Sequence, residues 1–210
     1  WMLQDRDAEG QKLVEDFTAE LSDNAQVRIL DMNEDRVRPC IACDICPTHV
    51  GPDDEYRCIV RNKDDGLVIR HQDLLNADVL VPTIFAPKDR SRLRSVYQQF
   101  IERTRYLRRG DYVFTDLLVA PIVITEVGVN DAMDIRMMTS FIRHHTVIVK
   151  PVIAIMHEGK LLNPDDVRAG LARAVEEGRR LAAGRLASAS LHTKATDYKP
   201  VGYVLATAKD

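Results

Sequence analysis

Residues 117–124, LLVAPIVI, carry no polar side chain. A surface helix shows a polar stripe and a half-exposed strand alternates. An unbroken apolar run of this length suits a strand covered on both faces. Such a strand needs helices above and below it, which means a parallel sheet in an α/β domain. The rest of the chain agrees. Residues 10–21 put Leu13, Val14, Phe17 and Leu21 on one helical face, and residues 26–31 read as a strand. Asp64 and Asp65 are suited to cap a helix carrying Leu67, Val68, His71, Leu74 and Leu75. Residues 77–82 read as a strand, and residues 89–105 as a helix with Leu93, Val96, Tyr97, Phe100 and Ile101 at three-to-four spacing. Beyond the apolar run, residues 131–145 read as a helix with Met133, Met137 and Met138, and residues 147–156 as a strand interrupted by Pro151. Asn163-Pro164-Asp165-Asp166 offers a cap, a first-turn proline and two acids against the helix dipole, opening a helix to about residue 183. One domain over 1–183 with a C-terminal extension over 184–210 is the simplest account. That extension is expected to pack on another subunit. A doubly wound order asks for one more strand before the first helix, and this reading places it outside the sequence.

Composition narrows the function. Apolar residues are 45% and charged residues 29%, as in a globular domain. No apolar run reaches the roughly 18 residues that cross a membrane, and no secretory leader pattern is present. The expectation is a cytoplasmic protein with no membrane role. The net charge of -3 argues against nucleic acid as a partner.

All four cysteines fall in one stretch, as C-x2-C-x2-C at Cys40, Cys43 and Cys46, then Cys58 after an eleven-residue gap. Two C-x2-C steps sharing a middle cysteine bring three thiolates close, and a fourth can return across the loop. A [4Fe-4S] cluster uses such a set. Zinc sites more often pair two separate C-x2-C knuckles. Zinc, or no metal, stays open on spacing alone. Disulfides do not suit a reducing compartment. His49 reads as an exposed loop residue, since four thiols suffice.

Pro39-Cys40-Ile-Ala-Cys43-Asp-Ile-Cys46, then Cys58, then Lys63-Asp64-Asp65, resembles the cysteine block of the NADPH-dependent FMN reductase and iron-sulfur flavoprotein family. Ala77-Asp78-Val-Leu-Val-Pro82-Thr-Ile-Phe85 and Phe100-Ile101-Glu102-Arg103 resemble two further segments of it. The resemblance implies a flavodoxin-like doubly wound parallel sheet, with the cysteine-rich loop after its second strand. It implies FMN, a [4Fe-4S] cluster on Cys40, Cys43, Cys46 and Cys58, and a homo-oligomer, dimer or tetramer, joining cluster and flavin across subunits. The family's glycine-serine phosphate loop is absent. Arg6 is the one cation among residues 3–11 available for the phosphate.

In a doubly wound sheet, ligands sit at the carboxyl ends of strands. Two loops are expected there, Pro82-Thr83-Ile84-Phe85-Ala86 and Thr125-Glu126-Val127-Gly128. Thr83 and Thr125 would offer hydroxyls to the flavin, and Phe85 would stack on its ring or pack in the core. Cofactors would do the chemistry, so no catalytic triad is expected. Residues 88–109 hold eight basic side chains against two acids. They read either as a solvated helix face or as a dock for a cofactor phosphate or an acidic carrier. His144 and His145 end a helix, where a cation is favourable.

The leading expectation is a flavin-dependent oxidoreductase moving electrons between NAD(P)H or a ferredoxin-like carrier and an unknown acceptor. The alternatives are a non-enzymatic electron-transfer or scaffold subunit with a degenerate flavin site, and a zinc-stabilised flavodoxin-like binding module.

Overall fold

The computed structural model describes residues 2–4, 8–23, 25–32, 36–43, 46, 58–86, 93–109, 113–127 and 132–187. They form nine strands and seven helices. A six-stranded sheet contains β1 (Met2–Gln4), β2 (Leu30–Asp31), β4 (Pro82–Ala86), β6 (Ile122–Glu126), β8 (Val152–His157) and β9 (Lys160–Leu161), in the order β2-β1-β4-β6-β8-β9. A three-stranded sheet continues it with β3 (Val79–Leu80), β5 (Leu118–Val119) and β7 (Val147–Ile148). Every pairing is parallel except β8 with β9. Counting β3 with β4, β5 with β6 and β7 with β8, the order is 2-1-3-4-5, compatible with a flavodoxin-like fold.

The split of these strands has a chemical cause. Thr83 pairs with Ile122, and Ile122 with Val152. One residue earlier, Pro82, Pro121 and Pro151 therefore stand side by side. Proline has no N–H to give to a ladder, so the ladders break along one row. Carbonyls in the row still accept, as Pro121 O does from Val152 N–H at 2.9 Å. Pro151, an isolated interruption when read in sequence, is one member of a three-strand feature.

Helices cover both faces. Between β1 and β2 runs α1 (Ala8–Ser22), and α7 (Pro164–Ala187) follows β9. Their Val14, Phe17, Val167, Leu171 and Ala174 bury against Leu118, Ile122, Ile124 and Ala154. On the other face lie α2 (Gly66–Ile69), α3 (His71–Leu75), α4 (Leu93–Arg103), α5 (Arg105–Arg109) and α6 (Met133–Ile142). Leu67, Leu74, Tyr97, Phe100, Met133, Met137 and Phe141 from these helices bury against Leu80, Ile84, Val119 and Val123. Ile122, Val123 and Ile124 thus point to alternate faces that are both apolar, as the 117–124 run requires. A Cβ at Gly170 or Gly178 would run into Val152 or Val79. With buried Ala174 between them, these positions let α7 lie close on the sheet.

Several expectations are corrected. A strand does precede the first helix: Met2–Gln4 pairs with both β2 and β4. Three residues are too few for alternation to register in the sequence. Asn163 spends its side chain on β8 rather than on a cap. Its Nδ2 donates to Ile153 O at 2.8 Å, and its Oδ1 accepts from Ile155 N–H at 2.9 Å. α7 continues through Ala187, four residues beyond the expected boundary. His144 is not a helix-end cation. It is 1% exposed, its ring lies 5.4 Å from that of Phe114 and 6.4 Å from that of Phe141, and neither ring nitrogen has a hydrogen-bond partner. Burial pushes its pKa down to about 4, and the charges of Arg108 and His145 push the same way. Residues 188–210, including the predicted intersubunit clasp, lie outside the described residues.

Candidate functional site

Asp65 organises the candidate site. It is the cap of α2, with an extended backbone, and its Oδ1 accepts from Leu67 N–H at 3.0 Å and Val68 N–H at 3.3 Å. The capping role expected from sequence is met, and the same carboxylate does more. Oδ2 accepts from Arg38 N–H at 2.9 Å and from Arg103 Nη1 at 2.8 Å, while Oδ1 accepts from Arg103 Nη2 at 3.2 Å. This is a two-pronged guanidinium–carboxylate pair with both side chains out of solvent, at 1% and 0% exposure.

The pair grips the chain where it enters the cysteine segment. Arg103 Nη1 also donates to Arg38 O at 2.6 Å. From one turn earlier on α4, Gln99 Nε2 donates to Val37 O. Arg38 closes the outer side through its own side chain, 3.1 Å from Asp64. Its backbone N–H, its carbonyl and its guanidinium are therefore all engaged, two residues before Cys40.

Beyond this grip the thiols gather. Cys40, Cys43, Cys46 and Cys58 border one small pocket of about 10 Å³, together with Ile41, Ala42, Ile59, Val60, Glu102, Arg103 and Arg105. Ala42 has a φ of 49°, in the left-handed region, so the chain turns between Cys40 and Cys43. Cys46 and Cys58 rest on the core, while Ile41 is 62% and Ile59 44% exposed at the rim. None of the four cysteines is in a disulfide, and each is partly buried. Among the described residues no three of Cys, His, Asp or Glu converge closely enough to hold a metal ion as they stand.

Arg103 borders the pocket from beneath. Burial by itself would lower its pKa; the hydrogen bonds and charge of Asp65, and then the neighbouring Cys58, more than offset this and raise it. Its Nε has no hydrogen-bond partner within bonding geometry, although Cys58 is near enough to act on the guanidinium. A buried, unpartnered N–H beside four thiols suits an acceptor inside the pocket. In donor chemistry the four thiols suit a thiolate-bound metal group, while as placed they do not converge on one point. In sequence Arg103 belongs to a basic run and closes the Phe100-Ile101-Glu102-Arg103 segment, and neither assigns it this role. The signal was there, since Phe100, one turn earlier on the same helix, lies on the apolar face.

The flavin candidates are placed differently from expectation. Pro82, Thr83, Ile84 and Phe85 form strand β4, not a loop; Thr83 and Ile84 are 2% and 0% exposed, and Phe85 packs on the α1/α7 core. Thr125 and Glu126 end strand β6, with the Thr125 hydroxyl donating to Glu126 O at 3.2 Å. Val127 follows, 53% exposed. The physical reason is that each apolar run continues to the strand's carboxyl end before the chain turns. Arg6 and Gly128 lie outside the described residues, as do Lys88, Arg90 and Arg92 of the basic run. A larger cavity of about 590 Å³ opens among residues 25–30, 70–81 and α7. It lies at the amino ends of the strands and is bordered by no thiol, whereas the cysteines follow the carboxyl end of β2.

No family model matches the chain, and no curated protein matches it. Among the described residues no helix is long and apolar enough to cross a membrane.

Proposed function

We propose that the chain is a flavodoxin-like electron-transfer oxidoreductase, holding a [4Fe-4S] cluster on Cys40, Cys43, Cys46 and Cys58 and binding FMN at the carboxyl ends of its strands. The observation that carries this reading is the meeting of all four cysteines at one pocket, above a buried arginine with an unpartnered N–H. Cys58 supports the reading in that it borders the same pocket as the other three despite the eleven-residue gap before it.

A bound cluster would exchange single electrons, and FMN would relay hydride pairs from NAD(P)H or electrons from a ferredoxin-like carrier. The chain's own residues supply position and charge. Asp65 and Arg103 fix the approach to Cys40, the turn at Ala42 presents Cys40 and Cys43 together, and Ile41 and Ile59 limit water at the rim. The flavin half draws on the strand order and on the family resemblance, with Arg6, the end of β4, Thr125, Glu126, Val127 and Gly128 as its candidate contacts.

The test is the visible spectrum and metal content of protein purified without oxygen. Flavin bands over a broad iron-sulfur shoulder are expected, with the shoulder lost in Cys58→Ser. A shoulder without flavin would favour the electron-transfer subunit. A colourless protein containing zinc would refute the redox reading and leave the zinc-stabilised module.

A further inference from the structure

We infer that Arg103 is the positioning residue of the thiol site: it ties the cysteine segment to the core and sets its buried guanidinium at the border of the four-thiol pocket, where it favours the reduced state of a bound group. The assignment rests on the cluster reading above and adds a specific role to it. Three observations support it. The guanidinium is buried, so bulk water does not screen its charge. Asp65 fixes two of its nitrogens, so the remaining Nε cannot swing to another acceptor. And Arg103 borders the pocket shared by the four cysteines, with Nε unpartnered.

The consequence is electrostatic. Adding one electron to the cluster makes the site one unit more negative. A fixed N–H donor and positive charge stabilise that state over the oxidised one, which raises the midpoint potential. Asp65 acts in the opposite sense, since its carboxylate offsets most of the arginine's charge. The two partners of one ion pair therefore carry opposite predicted effects on the potential. A residue that only held the fold together would give no such pattern.

The experiment is a redox titration of iron-reconstituted protein, with dithionite as reductant and mediator dyes, followed by the bleaching of the cluster absorbance. Arg103→Gln is expected to shift the midpoint potential negative and Asp65→Asn to shift it positive. Arg103→Lys, which keeps the charge and loses the Nε donor, should fall between wild type and Arg103→Gln. Circular dichroism at neutral pH checks that each variant is folded, and the near-isosteric Asp65→Asn keeps the test alive if Arg103→Gln is not. Loaded variants with unchanged potentials, or shifts of the same sign, overturn this assignment alone. A wild-type protein that takes up no cluster overturns the functional reading, and this assignment with it.

Discussion

His144 makes a quantitative prediction. In the unfolded chain it titrates near 6.5, and in the fold at about 4. The folded state therefore resists a proton that the unfolded state takes up. The associated stability is fully present above pH 6.5 and is lost as the pH falls toward 4. Linkage gives a loss of about 2 kcal/mol at pH 5 and about 3 kcal/mol at pH 4. For a chain of this size, 2 kcal/mol lowers Tm by roughly 4–8 °C. Carboxylates titrate in the same range, so the quantity to read is the difference between wild type and His144→Leu, a replacement of similar volume. Both ring nitrogens lack partners, so the substitution should change stability at pH 7.5 by no more than about 1 kcal/mol. Melting curves from pH 7.5 to 4.5 should show wild type falling more steeply, with the gap reaching about 2 kcal/mol at pH 5. Parallel Tm–pH curves for the two proteins would refute the reasoning, because they would mean that His144 takes up its proton without resistance from the fold.

Further outcomes follow from other contacts. Asp65→Ala leaves Arg103 buried without its anion and should cost about 3–5 kcal/mol in chemical denaturation, whereas Asp65→Leu combined with Arg103→Met should cost less than the sum of the single changes. Gly178→Leu should lower Tm sharply by forcing α7 off Val79, and Val79→Ala should recover part of the loss. Asn163→Ala removes two hydrogen bonds to β8 and should cost about 1–3 kcal/mol, read from urea midpoints.

The sequence conveyed the layer order well, because strands buried on two faces and helices with one apolar face leave opposite periodicities. Residues 117–124 and Asp65 show this, the first through continuous apolarity and the second through its position before an apolar helix. What it hid were pairings between distant segments. Arg103 reads as one of eight basic residues until the fold sets it 38 positions from Asp65, against the carboxylate. His144 reads as a helix-end cation until Phe114 closes over it. Thr83 and Thr125 read as loop hydroxyls because a threonine interrupts an apolar run in the same way at the end of a strand or beyond it. The thiol pocket was half legible: the C-x2-C-x2-C spacing puts three cysteines in one short stretch, and only the fold shows Cys58 bordering the same pocket.

The row formed by Pro82, Pro121 and Pro151 also bears on how the molecule opens. None of the three has an amide hydrogen, so the sheet contains a line across which no proton can be exchanged and where each ladder is interrupted. On one side β3, β5 and β7 are bonded among themselves; on the other, β4, β6 and β8 run on to the strand ends. A sheet creased in this way can release its two halves at different free energies. Native-state hydrogen exchange should then resolve two groups of amides divided at the prolines. The half toward the strands' carboxyl ends, where the cysteine segment leaves β2, could then open separately from the other, although α7 packs on both.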